Sequence, residues 1–276
     1  MEHIIGIDLG GTTINGGLIE GESLVKHVVR NTEAEIGGAT TLKHIKDVIR
    51  LLQTPETKGI GIGVPSVVDS EKGIVYQVQN IKEWEEVHLK SIIEKEFKIP
   101  TYINNDANCF AMGERIYGLG RNFENFVGIT LGTGVGGGII QKGELLHDNN
   151  CGSGEYGEMP YKDGILEEYC GSFFFTKHNT TGYDVMRQAE KNDKEAIQIV
   201  KEYSKHLSIL IKMIVLSVDP EAIIFGGSIS NSFHLFKEEV YNNLENFPFP
   251  NSIKKLKILK SELQSAGILG AGALCY

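Results

Sequence analysis

The sequence predicts an α/β protein of two lobes, each built on a mixed β-sheet, around a central cleft. Two observations predict this fold class. A Gly-rich hairpin near the N-terminus recurs in the middle of the chain, and each copy is followed by alternating helical and strand patterns. A meander of three strands that continues through helical crossovers gives a sheet with both antiparallel and parallel pairs. A cleft between two such lobes is the usual place for a ligand site.

The hairpin repeat aligns without gaps when the chain is shifted by 122 positions. The segment 4–24 (IIGIDLGGTTINGGLIEGESL) then matches 126–146 (FVGITLGTGVGGGIIQKGELL), with eight of 21 positions identical. Both copies have the pattern of a strand, a Gly-rich turn, a second strand, a polar turn and a third strand. Chance resemblance between two Gly-rich hairpins is the alternative, and the similar order of elements downstream argues against it.

The elements that follow each copy are predicted from hydrophobic periodicity. After the first copy we expect a helix over 42–52, a strand over 59–69, a helix over 89–97 and a strand over 101–105. After the second copy we expect helices over about 164–217, a strand over 222–227, a helix over 231–244, a strand over 253–259 and a helix from Ala266. We therefore predict an N-terminal lobe over 1–108, joined by a C-terminal helix over about 264–276, and a C-terminal lobe over 109–263.

Composition excludes several classes of protein. With 276 residues, 41% of them hydrophobic, the chain can bury a large core, which excludes a disordered protein. A net charge of −9 argues against nucleic acid or a membrane surface as a partner. We find no apolar run of about 18 residues and no basic segment typical of a signal peptide, so we expect a cytoplasmic protein. The four widely separated cysteines are typical of reduced thiols.

Glycine is in excess, and 13 of the 33 glycines lie within the two hairpins. A turn with several glycines can point successive backbone N–H groups into one concavity that binds an anion. We interpret the turns 8–13 and 132–137 as a pair that holds a polyphosphate. Asp8 would then hold a magnesium ion, directly or through water, because hard cations bind carboxylates and phosphates together. Neither turn has the context of a P-loop or a dinucleotide-binding motif, and tight hairpins without a ligand are the alternative.

Asn104, Asn105 and Asp106 form a second candidate feature, at the end of a strand and the start of a helix. Ends of strands that open into loops often carry reactive groups in α/β proteins. Asp106 could cap the helix, or it could act as a general base for a hydroxyl group. Asn105 offers both a donor and an acceptor to a polyol.

The segment 151–171 carries four carboxylates, on Glu155, Glu158, Glu167 and Glu168. Carboxylates accept hydrogen bonds from sugar hydroxyls. A two-carboxylate glycosidase would not account for the twin phosphate turns. We interpret Glu168 as an ordinary exposed residue.

Several motifs, in this order, resemble those of the ROK family of sugar kinases and repressors, within the actin/hexokinase/Hsp70 superfamily. They are DLGGT (8–12), GVPSVVD (63–69), NIKEW (80–84), NNDAN (104–108), LGTGVGGG (131–138), GEYGE (154–158), LEEY (166–169) and GGSIS (226–230). The resemblance covers most of the chain. It implies a duplicated ribonuclease H-like (actin-like ATPase) fold and ATP-dependent phosphorylation of a hexose hydroxyl, with ATP and Mg²⁺ as cofactors. Dimers are common in such families, and we expect a homodimer.

The resemblance also implies a role for each matching residue. Asp106 is implied as the catalytic base. The implied sugar-binding residues are Asn80, Asn105, Asp106, Glu155, Glu158 and Glu167. The implied ATP-binding residues are Asp8, Gly10, Gly11, Thr12, Thr13, Gly132, Thr133, Gly134, Gly226 and Gly227.

The sequence departs from the family at one place. Most members have a His at the end of a GExGH motif, followed by three closely spaced cysteines that complete a structural zinc site. Here Glu158 replaces that His, and no cysteine precedes Cys170 in the loop, so we expect no zinc. Because the family's His also contacts the sugar, a carboxylate at 158 would favour a substrate rich in donors, such as an amino sugar.

Two other functions remain as alternatives. One is a sugar-responsive transcriptional repressor, but repressors of this kind carry a helix-turn-helix domain ahead of the core. Here the first strand is predicted near residue 3, which leaves no room for such a domain. The other is a catalytically silent sugar sensor, which the loss of the zinc motif makes conceivable. The retained catalytic set favours an active kinase.

Overall fold

The computed structural model describes residues 2–78 and 81–276. Its strands are β1 (His3–Leu9), β2 (Thr13–Glu20), β3 (Ser23–Asn31), β4 (Thr57–Val64), β5 (Val67–Asp69), β6 (Ile74–Tyr76), β7 (Glu86–Val87), β8 (Thr101–Asn105), β9 (Phe126–Leu131), β10 (Val135–Gln141), β11 (Glu144–Leu145), β12 (Pro160–Tyr161), β13 (Gly164–Ile165), β14 (Ala222–Gly226) and β15 (Lys257–Lys260). Its α-helices are α1 (Gly38–Leu52), α2 (Leu89–Phe97), α3 (Asp106–Tyr117), α4 (Glu167–Cys170), α5 (Phe173–Lys177), α6 (Gly182–Glu190), α7 (Lys194–Val218), α8 (Phe233–Leu244), α9 (Pro250–Lys255) and α10 (Ala266–Ala273).

The chain divides into two compact units. Unit 1 comprises 1–121, 145–153 and 263–276, and unit 2 comprises 122–144 and 154–262. The domains predicted from the sequence, 1–108 with 264–276 and 109–263, stay a prediction. In the described parts of the chain, we find no helix that is long and apolar enough to span a membrane.

Unit 1 contains a five-stranded mixed sheet of order β3-β2-β1-β4-β8. The β1–β2 pair is antiparallel, and β1–β4 and β4–β8 are parallel. Alternation along β1 separates its two faces. Ile5 and Ile7 belong to the core cluster that includes the buried residues of α1, whereas Ile4 packs with Ile268 and Leu269 of α10. The sheet is therefore covered by helices on both sides, as mixed α/β sheets require.

Unit 2 repeats this plan. Its sheet has the order β11-β10-β9-β14-β15, again with an antiparallel first hairpin and parallel strands beyond it. The longest helix, α7, begins where the Asp193 carboxylate accepts a hydrogen bond from the Ala196 N–H at 2.9 Å. The mixed α/β fold class predicted from the repeat is confirmed.

The turns of the two hairpins differ in length by one residue. In the first, Leu9 pairs with Ile14, so four residues form the turn; in the second, Leu131 pairs with Val135, so three residues form it. The ungapped sequence repeat hides this difference, because it places Thr13 opposite Val135. The two Gly-rich turns are therefore homologous in sequence but different in shape.

Two predicted strands were wrong in extent. The run 59–69 forms two strands, β4 and β5, which are separated by Pro65 and Ser66; proline has no N–H to donate to a sheet. The run 253–259 begins as helix α9, with Pro250 in its first turn, and becomes strand β15 only at Lys257. Local apolar patterns of this length do not distinguish a helix from a strand.

Candidate functional site

Strands β1 and β8 of unit 1, on either side of β4, bring polar side chains to one edge of the sheet. Gly63 of β4 pairs with Asp8 of β1 on one side and with Asn104 of β8 on the other. Two strand spacings therefore separate Asp8 and Asn104, about 10 Å between their Cα atoms. Asp106 follows β8 directly. Since β1, β4 and β8 are parallel, their carboxyl ends meet at this edge, where α/β proteins usually bind ligands.

The predicted N-cap role of Asp106 is wrong. Asn105 caps α3: its side-chain Oδ1 accepts a hydrogen bond from the Asn108 N–H at 2.7 Å. The buried Asn104 supports this cap, because its Oδ1 accepts hydrogen bonds from the Asn105 N–H and from Asn108 Nδ2, both at 2.9 Å. Asp106 is the first residue of the helix, one position after the cap residue.

The carboxyl groups of Asp106 and Asp8 both have raised pKa values. Solvent reaches the Asp106 side chain, but the surrounding protein reduces its hydration, and this effect together with the negative charge of Asp8 raises its pKa from 3.8 to about 6. Burial alone raises the pKa of Asp8. Part of that burial comes from Gly267 in the first turn of α10, where any side chain would overlap the Asp8 carboxylate.

The first Gly-rich turn is closed by its own backbone and held by Thr32. The Gly10 N–H donates to the Thr13 carbonyl at 2.8 Å. The buried Thr32 donates twice, from its hydroxyl to the Gly10 carbonyl and from its N–H to the Thr12 carbonyl, both at 2.9 Å. Among the described residues, no acceptor pairs with the N–H groups of Gly11 and Thr12. Those two groups can therefore donate to an anion.

The second turn is held by the segment that joins α4 to α5. The Gly132 N–H closes the turn by donating to the Gly134 carbonyl at 3.0 Å, and the Ser172 N–H donates to the Gly132 carbonyl at 2.9 Å. The N–H groups of Thr133 and Gly134 have no acceptor in the described part of the chain. This turn, like the first, leaves two backbone donors for an anion.

The predicted sugar-binding glutamates of unit 2 differ in environment. Glu155 is half-buried and Glu158 is exposed. Glu167, the first residue of α4, accepts a hydrogen bond from the Val135 N–H at 2.9 Å, so it is bound to the end of the second turn. The GEYGE segment is held against β10 by the close backbone approach of Gly154, which has a φ of 82°, to Gly137.

Gly226 ends β14, and Gly227 follows it in the left-handed region at a φ of 82°. Directly after them lies a cavity of about 500 Å³ that sequence analysis missed. Tyr183, Met186 and Arg187 of α6 line one side, and Ser228 and Ile229 line the other. Arg187 lies over the Tyr183 ring at 5.8 Å. A flat aromatic ligand could be held here, but in sequence these α6 residues follow an ordinary amphipathic pattern.

Aromatic side chains hold the loop 159–169, the place of the family's zinc site, where we expect no zinc. Tyr161 of the β12–β13 hairpin contacts the buried His206 of α7, with 3.1 Å between the Tyr161 hydroxyl and His206 Nδ1. Tyr169 packs on both rings, and the Lys177 ammonium lies 4.4 Å from the centre of the Tyr169 ring. Burial raises the pKa of the Cys170 thiol, which disfavours the thiolate that zinc requires. The residues of this loop do not fit a zinc site.

Magnesium fits the residues of unit 1 better. Mg²⁺ is commonly bound through one or two carboxylates while phosphates and water supply the other oxygens. Asp8 supplies one carboxylate, and the adjacent turn has open N–H donors for the phosphates that would supply further oxygens. Asn80, another predicted sugar-binding residue, lies outside the described residues.

Comparison with known proteins gave consistent matches. A model of the ROK family matches residues 4–174 and 164–276. A glucokinase of Halalkalibacterium halodurans is 30% identical over 98% of this chain and 94% of that protein. A xylose repressor of Bacillus spizizenii is 27% identical over 99% of this chain and 76% of that protein. The crystal structure of a ROK family glucokinase from Streptomyces griseus in complex with glucose and AMPPNP has a TM-score of 0.83 at 23% identity, covering 99% of this chain and 98% of that one. At this identity the structural match shows a shared fold, the actin-like ATPase fold.

Proposed function

This chain belongs to the ROK family, and we propose that it is an ATP-dependent sugar kinase that transfers the γ-phosphoryl group of ATP to a hydroxyl of a hexose. The observation that carries this proposal is the pair of carboxylates at the carboxyl edge of the unit 1 sheet. Asp106 is reachable by solvent, does not cap its helix and has a pKa raised to about 6. Asp8 stands next to a turn that can bind phosphate.

Asp106 would act as the general base. A base works best when its pKa is near the working pH, and a positioned carboxylate typically contributes about 10²–10⁴-fold to the rate. Asp106 at a pKa of about 6 is ionised at neutral pH and is a stronger base than an ordinary Asp. It would accept the proton of the sugar hydroxyl as that oxygen attacks the γ-phosphorus. ADP then leaves with the electrons of the broken bond between the phosphorus and the bridging oxygen.

The two Gly-rich turns would bind the phosphates. Phosphoryl transfer depends chiefly on positioning and charge stabilisation, which backbone N–H groups supply without the cost of burying side-chain charges. Gly11 and Thr12 in unit 1, and Thr133 and Gly134 in unit 2, have the N–H groups for this role. When bound near Asp8, Mg²⁺ would offset the negative charge of the phosphates.

The remaining residues would recognise the sugar and the adenine ring. Asn80, Asn105, Glu155, Glu158 and Glu167 would contact the sugar, as the family resemblance implies. The exposed Glu158 favours a sugar that presents donors, including an amino sugar. The cavity beside Gly227 would take the adenine, with Tyr183 offering a flat face. A homodimer is also proposed, and light scattering after gel filtration would test it.

A coupled assay of ADP release tests the proposed activity. The panel is glucose, mannose, allose, fructose, glucosamine and the N-acetylated hexosamines, each with MgATP. Sugar-dependent ADP release with at least one hexose, and a phosphorylated sugar identified by mass spectrometry, is the expected result. Binding of several sugars without turnover of any would contradict a kinase and favour a silent sugar sensor.

The pH dependence of kcat/KM is a second test of Asp106. Because the base must be deprotonated, we expect kcat/KM to be constant above about pH 7 and to fall tenfold per pH unit below about 6. A carboxyl with an ordinary pKa near 3.8 would keep activity down to about pH 4. The measurement is the initial rate between pH 4.5 and 8 with the sugar and MgATP both well below their KM values, because that regime reports the pKa of the free protein. A flat profile to pH 5 would contradict the raised pKa.

A transcriptional regulator is the second candidate function, and the similarity to a xylose repressor favours it. Gel-shift experiments with genomic fragments test it. Sequence-specific binding that a sugar releases would support this role, whereas the net charge of −9 leads us to expect none.

A further inference from the structure

Glu167 contacts the second Gly-rich turn, a role that its place among the sugar-binding residues does not predict. We propose that Glu167 is a positioning residue for nucleotide binding: its carboxylate holds the turn 132–134 in the shape that presents the N–H groups of Thr133 and Gly134 to phosphate. This inference rests on the proposed function. Because Glu167 is also a proposed sugar-binding residue, its side chain would affect both the affinity for the sugar and the affinity for the nucleotide.

The turn is built around the Glu167 carboxylate. Glu167 Oε2 accepts the hydrogen bond from the Val135 N–H at 2.9 Å, at the first residue after the turn. A side chain at Gly134 would overlap the same carboxylate, and a Cβ at Gly157 would lie 3.4 Å from Oε2. The carboxylate thus lies in a space that two glycines leave open. A hydrogen bond to a charged acceptor is worth about 1.5–3 kcal/mol, more than a neutral one.

The helix that carries Glu167 is firmly anchored. Leu166, the residue before Glu167, is fully buried. At the other end of α4, the Cys170 carbonyl accepts a hydrogen bond from the buried Tyr203 hydroxyl of α7 at 2.8 Å. Gly171 and Ser172 then pass beneath the turn, where the Ser172 N–H donates to the Gly132 carbonyl. The backbone that carries the carboxylate is therefore held in place on both sides of Glu167.

The second turn has a support that the first lacks among the described residues. A neutral hydroxyl donates to each turn, from Thr32 to the first and from Ser172 to the second, but only the second is also bound by a carboxylate, that of Glu167. Because Glu167 occupies the Val135 N–H, only the Thr133 and Gly134 N–H groups of this turn have no acceptor among the described residues. If a sugar hydroxyl donates to the other carboxylate oxygen, sugar binding changes the charge next to the turn. Nucleotide affinity would change with it, and by linkage the effect is reciprocal.

Binding of MgADP in the absence of sugar tests this inference, since a residue that only contacts the sugar would not change the affinity for MgADP. Titration calorimetry should show a Kd for MgADP about tenfold weaker in Glu167→Ala. Glu167→Asp keeps the charge but is too short to reach the Val135 N–H, and the same loss is expected. Glu167→Gln keeps an acceptor for that N–H, and its Kd should stay within about threefold of the unmodified protein. Glu168→Ala is the matched control, because Glu168 is the next residue and pairs with Lys177 at 3.2 Å.

The outcomes separate the two proposals. Unchanged MgADP affinity in Glu167→Ala and Glu167→Asp, in a protein that binds MgADP, would overturn the positioning role alone. An unmodified protein that binds no MgADP would overturn both this role and the kinase. If Glu167→Ala does not fold, Glu167→Asp and Glu167→Gln decide the question. Faster amide exchange of Val135 in Glu167→Asp than in Glu167→Gln is the expected independent signature.

Discussion

An Asp106→Asn variant is expected to lose at least about 100-fold in kcat while its affinity for the sugar changes little. Asparagine has nearly the shape of aspartate and can still hydrogen-bond a hydroxyl, but it cannot accept the proton. The fold at this point should survive, because Asn105 and not Asp106 caps helix α3. Removing a carboxylate with a raised pKa also removes its repulsion with Asp8. The measurement is steady-state ADP release together with calorimetric titration of the sugar.

The control for this experiment is Asp47→Asn, which changes a carboxylate of the same unit that pairs with Arg30 and Arg50 on the surface. Its kcat should stay within about twofold, because exposed ion pairs contribute little. Undiminished turnover in Asp106→Asn would remove Asp106 from the mechanism. A loss of sugar affinity as large as the loss of kcat would make it a sugar ligand and not a base.

A Gly61→Ala variant should be destabilised by at least about 3 kcal/mol, which lowers the melting temperature by roughly 6 °C or more in a chain of this size. Gly61 lies on β4, and an added methyl group would overlap the carbonyl oxygen of Ala271 and lie 2.6 Å from its carbonyl carbon. Both atoms are backbone atoms of α10, so no side chain can rotate away. Helix and strand must separate, which exposes part of the core of unit 1.

Gly152→Ala is the matched control for Gly61→Ala. Gly152 is exposed, and the nearest atom to an added Cβ is the Asn150 carbonyl oxygen at 4.0 Å. Its free energy of unfolding should change by less than about 0.5 kcal/mol. Thermal unfolding followed by circular dichroism measures both variants. Equal stability of Gly61→Ala and the unmodified protein would mean that α10 does not pack against β4 as described.

Much of the fold could be predicted because its signals are local. The strand periodicity of 4–24 and its copy, and the alternating elements after them, are visible in short windows of sequence. The same is true of the polar residues at the end of β8. Register was not predictable, because the ungapped repeat is compatible with turns of either three or four residues. The cap of α3 was expected at Asp106 and lies one residue earlier at Asn105, because both are good N-cap residues and local sequence does not define where a helix begins.

The duplicated α/β plan and the residue types at the two Gly-rich turns follow from local sequence patterns. The roles of the surplus glycines depend on tertiary packing. The turns use Gly10, Gly11, Gly132 and Gly134, but Gly6 and Gly61 lie where α10 approaches the sheet, and Gly137 lies against Gly154. The physical reason is that a glycine requirement can come from close approach by a segment distant in the chain. The same applies to the bond between Glu167 and Val135 and to the raised pKa of Asp106 beside Asp8, which depend on neighbours that no local pattern reveals.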